Sequence, residues 1–167
     1  MSVKIKTQLG LIGFLLLLAI SLLLSQNATP DFSPLFSLKR VQEKFFLNLK
    51  NDPKSKLDYE RGLLNTRLEE LQSQVKRQSY SNILPSASRY STLAGQITDQ
   101  VLANNLLKDQ GEKVKEQFSN HIKVLNEIYM AYPKNTDNLE YKYILDDINY
   151  LKIYLDKLSN FFKAEKA

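Results

Sequence analysis

Cysteine and tryptophan are absent from the 167 residues, histidine occurs once, and glycine and proline number five each. Without cysteine there is no disulfide framework, no thiolate metal site and no thiol nucleophile. With one imidazole and so few glycines, a His-based metal site and a glycine-rich phosphate cradle are equally unsupported. No G-x-S-x-G or H-E-x-x-H pattern occurs either, and the serines stand near no motif that would activate them. The sequence therefore names no catalytic, cofactor-binding or metal-binding residues and argues against a recognisable enzyme. Excess charge of one sign is also small. The formal balance of +5 includes Lys4 and Lys6, and the remaining bases and acids are interspersed, which is an ordinary solvated surface and no sign of a nucleic-acid partner.

What the chain does have is one long apolar run. MSVKIKTQ leads into the sixteen residues Leu9 to Leu24, and SQNATPDFSP ends the run abruptly. A basic start, a solid apolar stretch and a polar exit make a membrane-targeting segment. Sixteen residues of helix reach only ~24 Å, short of the ~30 Å hydrocarbon core. Ile5, a snorkelling Lys6, Thr7, Gln8 and Ser25 supply the missing length, so residues 5–25 are expected to contact membrane lipid. The competing reading is a cleaved signal peptide. It fits less well, because a cut after Ser25 leaves Leu23, and a cut after Ala28 leaves Gln26, where a small residue is wanted. Lys4 and Lys6 on the short side predict a cytoplasmic N-terminus in a single-pass cell-membrane protein, with residues 27–167 extracytoplasmic. The sequon Asn27-Ala28-Thr29 lies in the linker and matters only in a glycosylating host.

Beyond the run, spacing at 3.6 residues dominates and no period-2 alternation lasts long enough for a strand. Ser33 before Pro34 and Asp52 before Pro53 are N-cap and first-turn pairs that predict helices over 34–50 and 53–78, joined closely enough for an antiparallel hairpin. The first places Leu35, Leu38, Val41, Phe45, Phe46 and Leu49 on a core face, and the second stacks Leu57, Leu64, Leu68, Leu71 and Val75. A Ser/Asn-rich loop is expected around Pro85, followed by a third helix with Tyr90, Leu93, Ala94, Ile97 and Val101 inward and a turn near 108–111. The fourth, 112–132, carries Val114, Phe118, His121, Leu125, Ile128 and Tyr132. The last, 137–163, carries Ile144, Ile148, Leu151, Leu155, Leu158 and Phe162, with Asp137 as its cap. The expected fold is all-α: an N-terminal transmembrane helix (1–26), a linker (27–33), an extracytoplasmic bundle of four or five helices (34–163) and a short tail (164–167).

Few residues stand out chemically. His121 sits at the edge of an apolar arc, where a core histidine bonded to a neighbour is the ordinary outcome. Glu69-Glu70 and Asp146-Asp147 diverge by about 100° on a helix and cannot share an ion, although carboxylates from two helices could still meet. Tyr143, Tyr150, Tyr154 and Phe161 widen the apolar arc of the last helix. They either pack against a second neighbour or form an aromatic surface for an unidentified envelope protein or ligand. Phe36, Arg40, Lys44 and Leu47 lie opposite the first helix's core face, a few residues beyond the span: either Phe36 and Leu47 touch another helix while the bases stay solvated, or the four form a membrane-facing side.

The stretch from Pro30 to Leu71 resembles a bacterial family of domains of unknown function. The matching residues are Pro34, Leu35, Phe36, Leu38, Lys39, Arg40 and Glu43, then Tyr59, Arg67, Leu68, Glu70 and Leu71. The resemblance implies export behind one hydrophobic segment and a helical hairpin, and some members accompany membrane-bound regulators of the anti-sigma type. It brings no activity, cofactor or site residues. The expected role is a membrane-anchored interaction or sensory module of the cell envelope. The alternative is a periplasmic helical chaperone or stress sensor released from a cleaved signal peptide.

Overall fold

A computed structural model describes residues 35–134 and 139–164, together with Ala28, Pro30 and nine residues between Gly10 and Leu23, which are helical. Lys4, Lys6, the sequon's Asn27 and Thr29, the Ser33-Pro34 cap and the Asp137 cap lie outside the described residues. Five helices follow the N-terminal segment: α1 (Phe36–Asn48), α2 (Pro53–Lys76), α3 (Ile83–Ala103), α4 (Gly111–Ala131) and α5 (Tyr141–Ala164). Among the described residues there is no strand. No helix among them is long and apolar enough to cross a membrane, so the spanning helix expected over 5–25 finds no support there.

The chain divides into two compact units, Met1–Leu49 and Lys50–Ala167. The division falls after α1. The second unit is a bundle of four helices, α2 to α5. In it α2 lies against α3 and α4, and α5 lies against the same two. Among the described residues the backbones of α2 and α5 do not approach each other closely, so they occupy one diagonal of the bundle. The α3 to α4 connection crosses the other diagonal. It does so through a 3-10 turn, Asn105–Gln110, which buries Leu107. Sequence periodicity at 3.6 misses Leu107, because a 3-10 turn presents a different residue inward.

Each bundle helix is the product of its spacing. Leu57, Leu64, Leu68, Leu71 and Val75 of α2 are buried, as are Tyr90, Ala94, Ile97 and Val101 of α3. Val114, Phe118, His121, Leu125 and Ile128 of α4 and Ile144, Ile148, Leu151 and Leu158 of α5 complete the core. Asp52 caps α2 by accepting from the Ser55 amide at 2.8 Å, with Pro53 at the first position. The helix ends in a Schellman closure: Ser79 N–H donates to Gln74 O at 2.9 Å and Gln78 N–H to Val75 O at 3.1 Å. Gln78 has φ 60°, the left-handed conformation usually given to glycine.

One boundary and one helix face differ from the sequence reading. The loop expected around Pro85 is short, a single 3-10 turn at Tyr80–Asn82, and α3 begins at Ile83. Pro85 is then the third residue of the first turn, where its missing N–H has no helical partner to lose. In α1 the buried side is not the expected one. Val41 (66% exposed), Phe45 (59%) and Leu49 (57%), expected in the core, point outward, while Phe36, expected on the outer side, is buried. Periodicity finds an amphipathic helix but does not say which side meets the protein.

Candidate functional site

The bundle's most connected polar feature begins in a groove between α2 and α4. It has a volume of about 520 Å³ and is lined by Asp58, Arg61, Asn65, Lys113, Gln117 and His121 among others. Three of these lock α2 to α4. Arg61 Nε donates to Gln117 Oε1 at 2.9 Å, Gln117 Nε2 donates back to Arg61 O at 2.9 Å, and the same amide reaches Asn65 Oδ1 at 2.6 Å. His121 closes the chain, its Nε2 lying 2.8 Å from Asn65 Oδ1 and its Nδ1 2.9 Å from the Tyr90 hydroxyl on α3.

This geometry fixes the tautomer. A carbonyl oxygen only accepts, so Nε2 carries the proton, and Nδ1 accepts from Tyr90 O–H. Burial pushes the His121 pKa down to about 4, keeping the ring neutral, and burial with the nearby Asp147 pushes Tyr90 well above the usual phenol range. A neutral imidazole bonded at both nitrogens is a cross-link among α2, α3 and α4.

Asp147 stands beside this chain on α5. It is buried, and burial raises its pKa to about 8, with Asp146 adding to the rise and Ser91 opposing it. Its Oδ2 has no hydrogen-bond partner. The bundle thus holds a protonated carboxyl in its core at neutral pH, next to Tyr90.

A second buried cluster joins α2 to α3. Arg67 Nη1 lies 2.8 Å from Glu70 Oε1, and Arg89 Nη2 lies 3.8 Å from Glu70 Oε2 and donates to Ser86 Oγ at 3.0 Å. Of the residues on which the sequence resemblance rests in this helix, Tyr59 is half-buried, and Arg67, Leu68, Glu70 and Leu71 are buried. The buried ones form a core ion pair flanked by core leucines. Of the motif's first half, Lys39 is buried and its Nζ donates to Ala28 O at 3.2 Å, and Arg40 is exposed. Pro34 lies outside the described residues.

The surfaces expected from sequence are divided by the structure. Tyr143, Tyr154 and Phe161 are half-buried, and Tyr143 and Tyr154 pack against the core; Tyr150 (46%) is exposed. Tyr154 lies 6.4 Å from Phe118, stacks on Tyr150 at 6.3 Å, and fits over Gly95, whose missing side chain makes room for the ring. Lys157 and Lys108 lie over Tyr154 and Phe161. On α1, Phe36 is buried, Leu47 half-buried, and Arg40 and Lys44 are exposed.

Sequence reasoning passed over Asp147 and Glu70 as surface acids. The signal was available, because at 100° per residue Asp147 falls between Tyr154 and Leu158, inside the apolar arc of α5. Glu60, Arg67 and Gln74 likewise fall within or beside the apolar arc of α2, and all are buried. Among the described residues no three His, Asp or Glu side chains are grouped to hold a metal ion. A family model described as a domain of unknown function, DUF5667, matches residues 27–135. No curated protein and no solved structure matches the chain.

Proposed function

We propose a role that starts from the family: the chain belongs to DUF5667, a domain of unknown function, and we read it as an anchored, extracytoplasmic helical module. It works by contact with another component of the cell envelope and not by catalysis. The observation that carries this reading is the N-terminal pattern, a basic start followed by the apolar run Leu9 to Leu24 and a polar exit. Contact falls on the outer ridge of α5, where Tyr150 and Ile153 are exposed beside Lys157. The neutral, doubly bonded His121 supports a structural use of the only imidazole.

The test is made on the full chain expressed in a bacterial host. Membranes are washed with alkaline carbonate, spheroplasts are treated with protease, and the N-terminus is read by mass spectrometry. The expected result is an intact N-terminus, retention after carbonate, and digestion of residues beyond 27 from outside. A mature N-terminus near Ser25 with release into the soluble fraction would replace the anchor by the chaperone or stress-sensor reading.

A further inference from the structure

The outward stripe of α1 asks for an occupant. Val41, Phe45 and Leu49 recur every four residues and are 66%, 59% and 57% exposed, and Phe46 extends the stripe sideways. Single exposed apolar residues are ordinary on protein surfaces, but a continuous row along one short helix is not. The opposite side of the helix is settled: Phe36 is buried, and Lys39 is held by Ala28 O.

We infer that α1 lies in the plane of an anionic lipid surface, with Val41, Phe45, Phe46 and Leu49 toward the acyl chains. This rests on the anchor reading above and names what α1 touches beside that anchor. Two observations favour lipid. The first is charge. Helix α1 carries Lys39, Arg40 and Lys44 against the single acid Glu43, and Arg40 and Lys44 are exposed on the flank of the stripe, where they reach headgroups. The second is connectivity. Eleven residues separate Leu24 from Phe36, a tether of ~40 Å at most, so with Leu9 to Leu24 in the bilayer the helix is never far from its surface. A short helix with one apolar face, basic residues beside it and low net hydrophobicity is built to lie on a membrane and not to cross it. The lipid-facing side is therefore the stripe that periodicity assigned to a protein core, and Phe36 and Leu47 are not part of it.

The chain contains no tryptophan, so Phe45→Trp places a single fluorophore on the stripe. Tyr150→Trp, in a separate protein, serves as the reference on the bundle. Both full chains are reconstituted into vesicles of phosphatidylcholine containing one third phosphatidylglycerol. The expected result is blue-shifted Phe45→Trp emission that brominated acyl chains quench severalfold more than they quench Tyr150→Trp. Adding Val41→Asp and Leu49→Asp should abolish the quenching while the chain stays on carbonate-washed vesicles. Quenching should also fall severalfold in pure phosphatidylcholine. A chain that resists carbonate while its Phe45→Trp emission is unquenched overturns the inference and leaves the anchor standing; blue-shifted but unquenched emission means that α1 packs on protein. A chain released by carbonate, yet quenched before the wash, removes the anchor and leaves α1 on lipid. Equal quenching in both vesicle types overturns the requirement for anionic headgroups.

Discussion

Replacing Asp147 by Asn should change the pH dependence of bundle stability in a way that separates two opposed titrations. His121 has an ordinary pKa of 6.5, and burial lowers it to about 4 in the fold. Between those values the unfolded chain binds the extra proton, so this contribution is complete above 6.5 and is lost as pH falls toward 4. At about 1.4 kcal/mol per unit it amounts to about 3 kcal/mol. Asp147 acts in the other direction, because burial raises it from 3.8 to about 8. The folded state then holds the extra proton, so stability is greatest below 3.8 and declines as pH rises toward 8, by on the order of 5 kcal/mol. From pH 4 to 6.5 the two slopes cancel. From 6.5 to 8 only Asp147 acts, and the wild-type chain should lose about 2 kcal/mol. In Asp147→Asn the fall above 6.5 disappears, and stability instead rises by about 3 kcal/mol between pH 4 and 6.5 and then stays level. Against a total of about 5–15 kcal/mol for a small domain, these changes are large. The assay is urea unfolding of the detergent-solubilised full chain, followed by far-ultraviolet circular dichroism at half-unit pH steps. The single histidine adds a direct check, since its ring nitrogens give one unambiguous NMR titration. The reasoning is refuted if Asp147→Asn keeps the wild-type decline between 6.5 and 8, or if His121 titrates near 6.5.

Four further outcomes follow from the geometry. Tyr90→Phe leaves His121 Nδ1 without its 2.9 Å donor in a buried site and should cost about 1–3 kcal/mol by the same unfolding measurement. Arg67→Met strips Glu70 of its 2.8 Å partner in the core and should cost about 3–5 kcal/mol, more than an exposed pair such as Lys54–Asp109. Gln78→Gly relieves a left-handed residue at the end of α2 and should stabilise by about 1 kcal/mol, seen as a raised thermal midpoint. A Cβ at Gly111 would overlap the Phe162 ring, so Gly111→Ala should cost about 1–3 kcal/mol and displace that ring, a change visible in its aromatic NMR signals.

How far the sequence reads can be judged from particular elements. The four bundle helices were legible because each carries a stripe at 3.6 spacing long enough to define one face, and Asp52-Pro53 marks a start that the structure places within one residue. Pro85 misled, because a proline is as acceptable in the first turn of a helix as in a loop, and sequence does not say which. Leu107 was invisible to a 3.6 template because it lies in a 3-10 turn. His121 could be placed at a core edge from its position, but its partners Asn65 and Tyr90 come from helices 56 and 31 residues away in the chain, and only packing brings them together.

Local spacing, caps and the apolar N-terminal run are properties of neighbouring residues, and the sequence by itself determined them: the bundle helices, their inward stripes, and the concentration of apolar residues from Leu9 to Leu24. The tertiary structure alone decided which helices touch, which side of α1 is turned outward, and that Asp147, Glu70 and Arg67 are core residues. The reason is physical. A helix fixes the direction of each side chain relative to its own axis, but burial, and with it the ionisation of Asp147 and His121, depends on what other helices bring to that face.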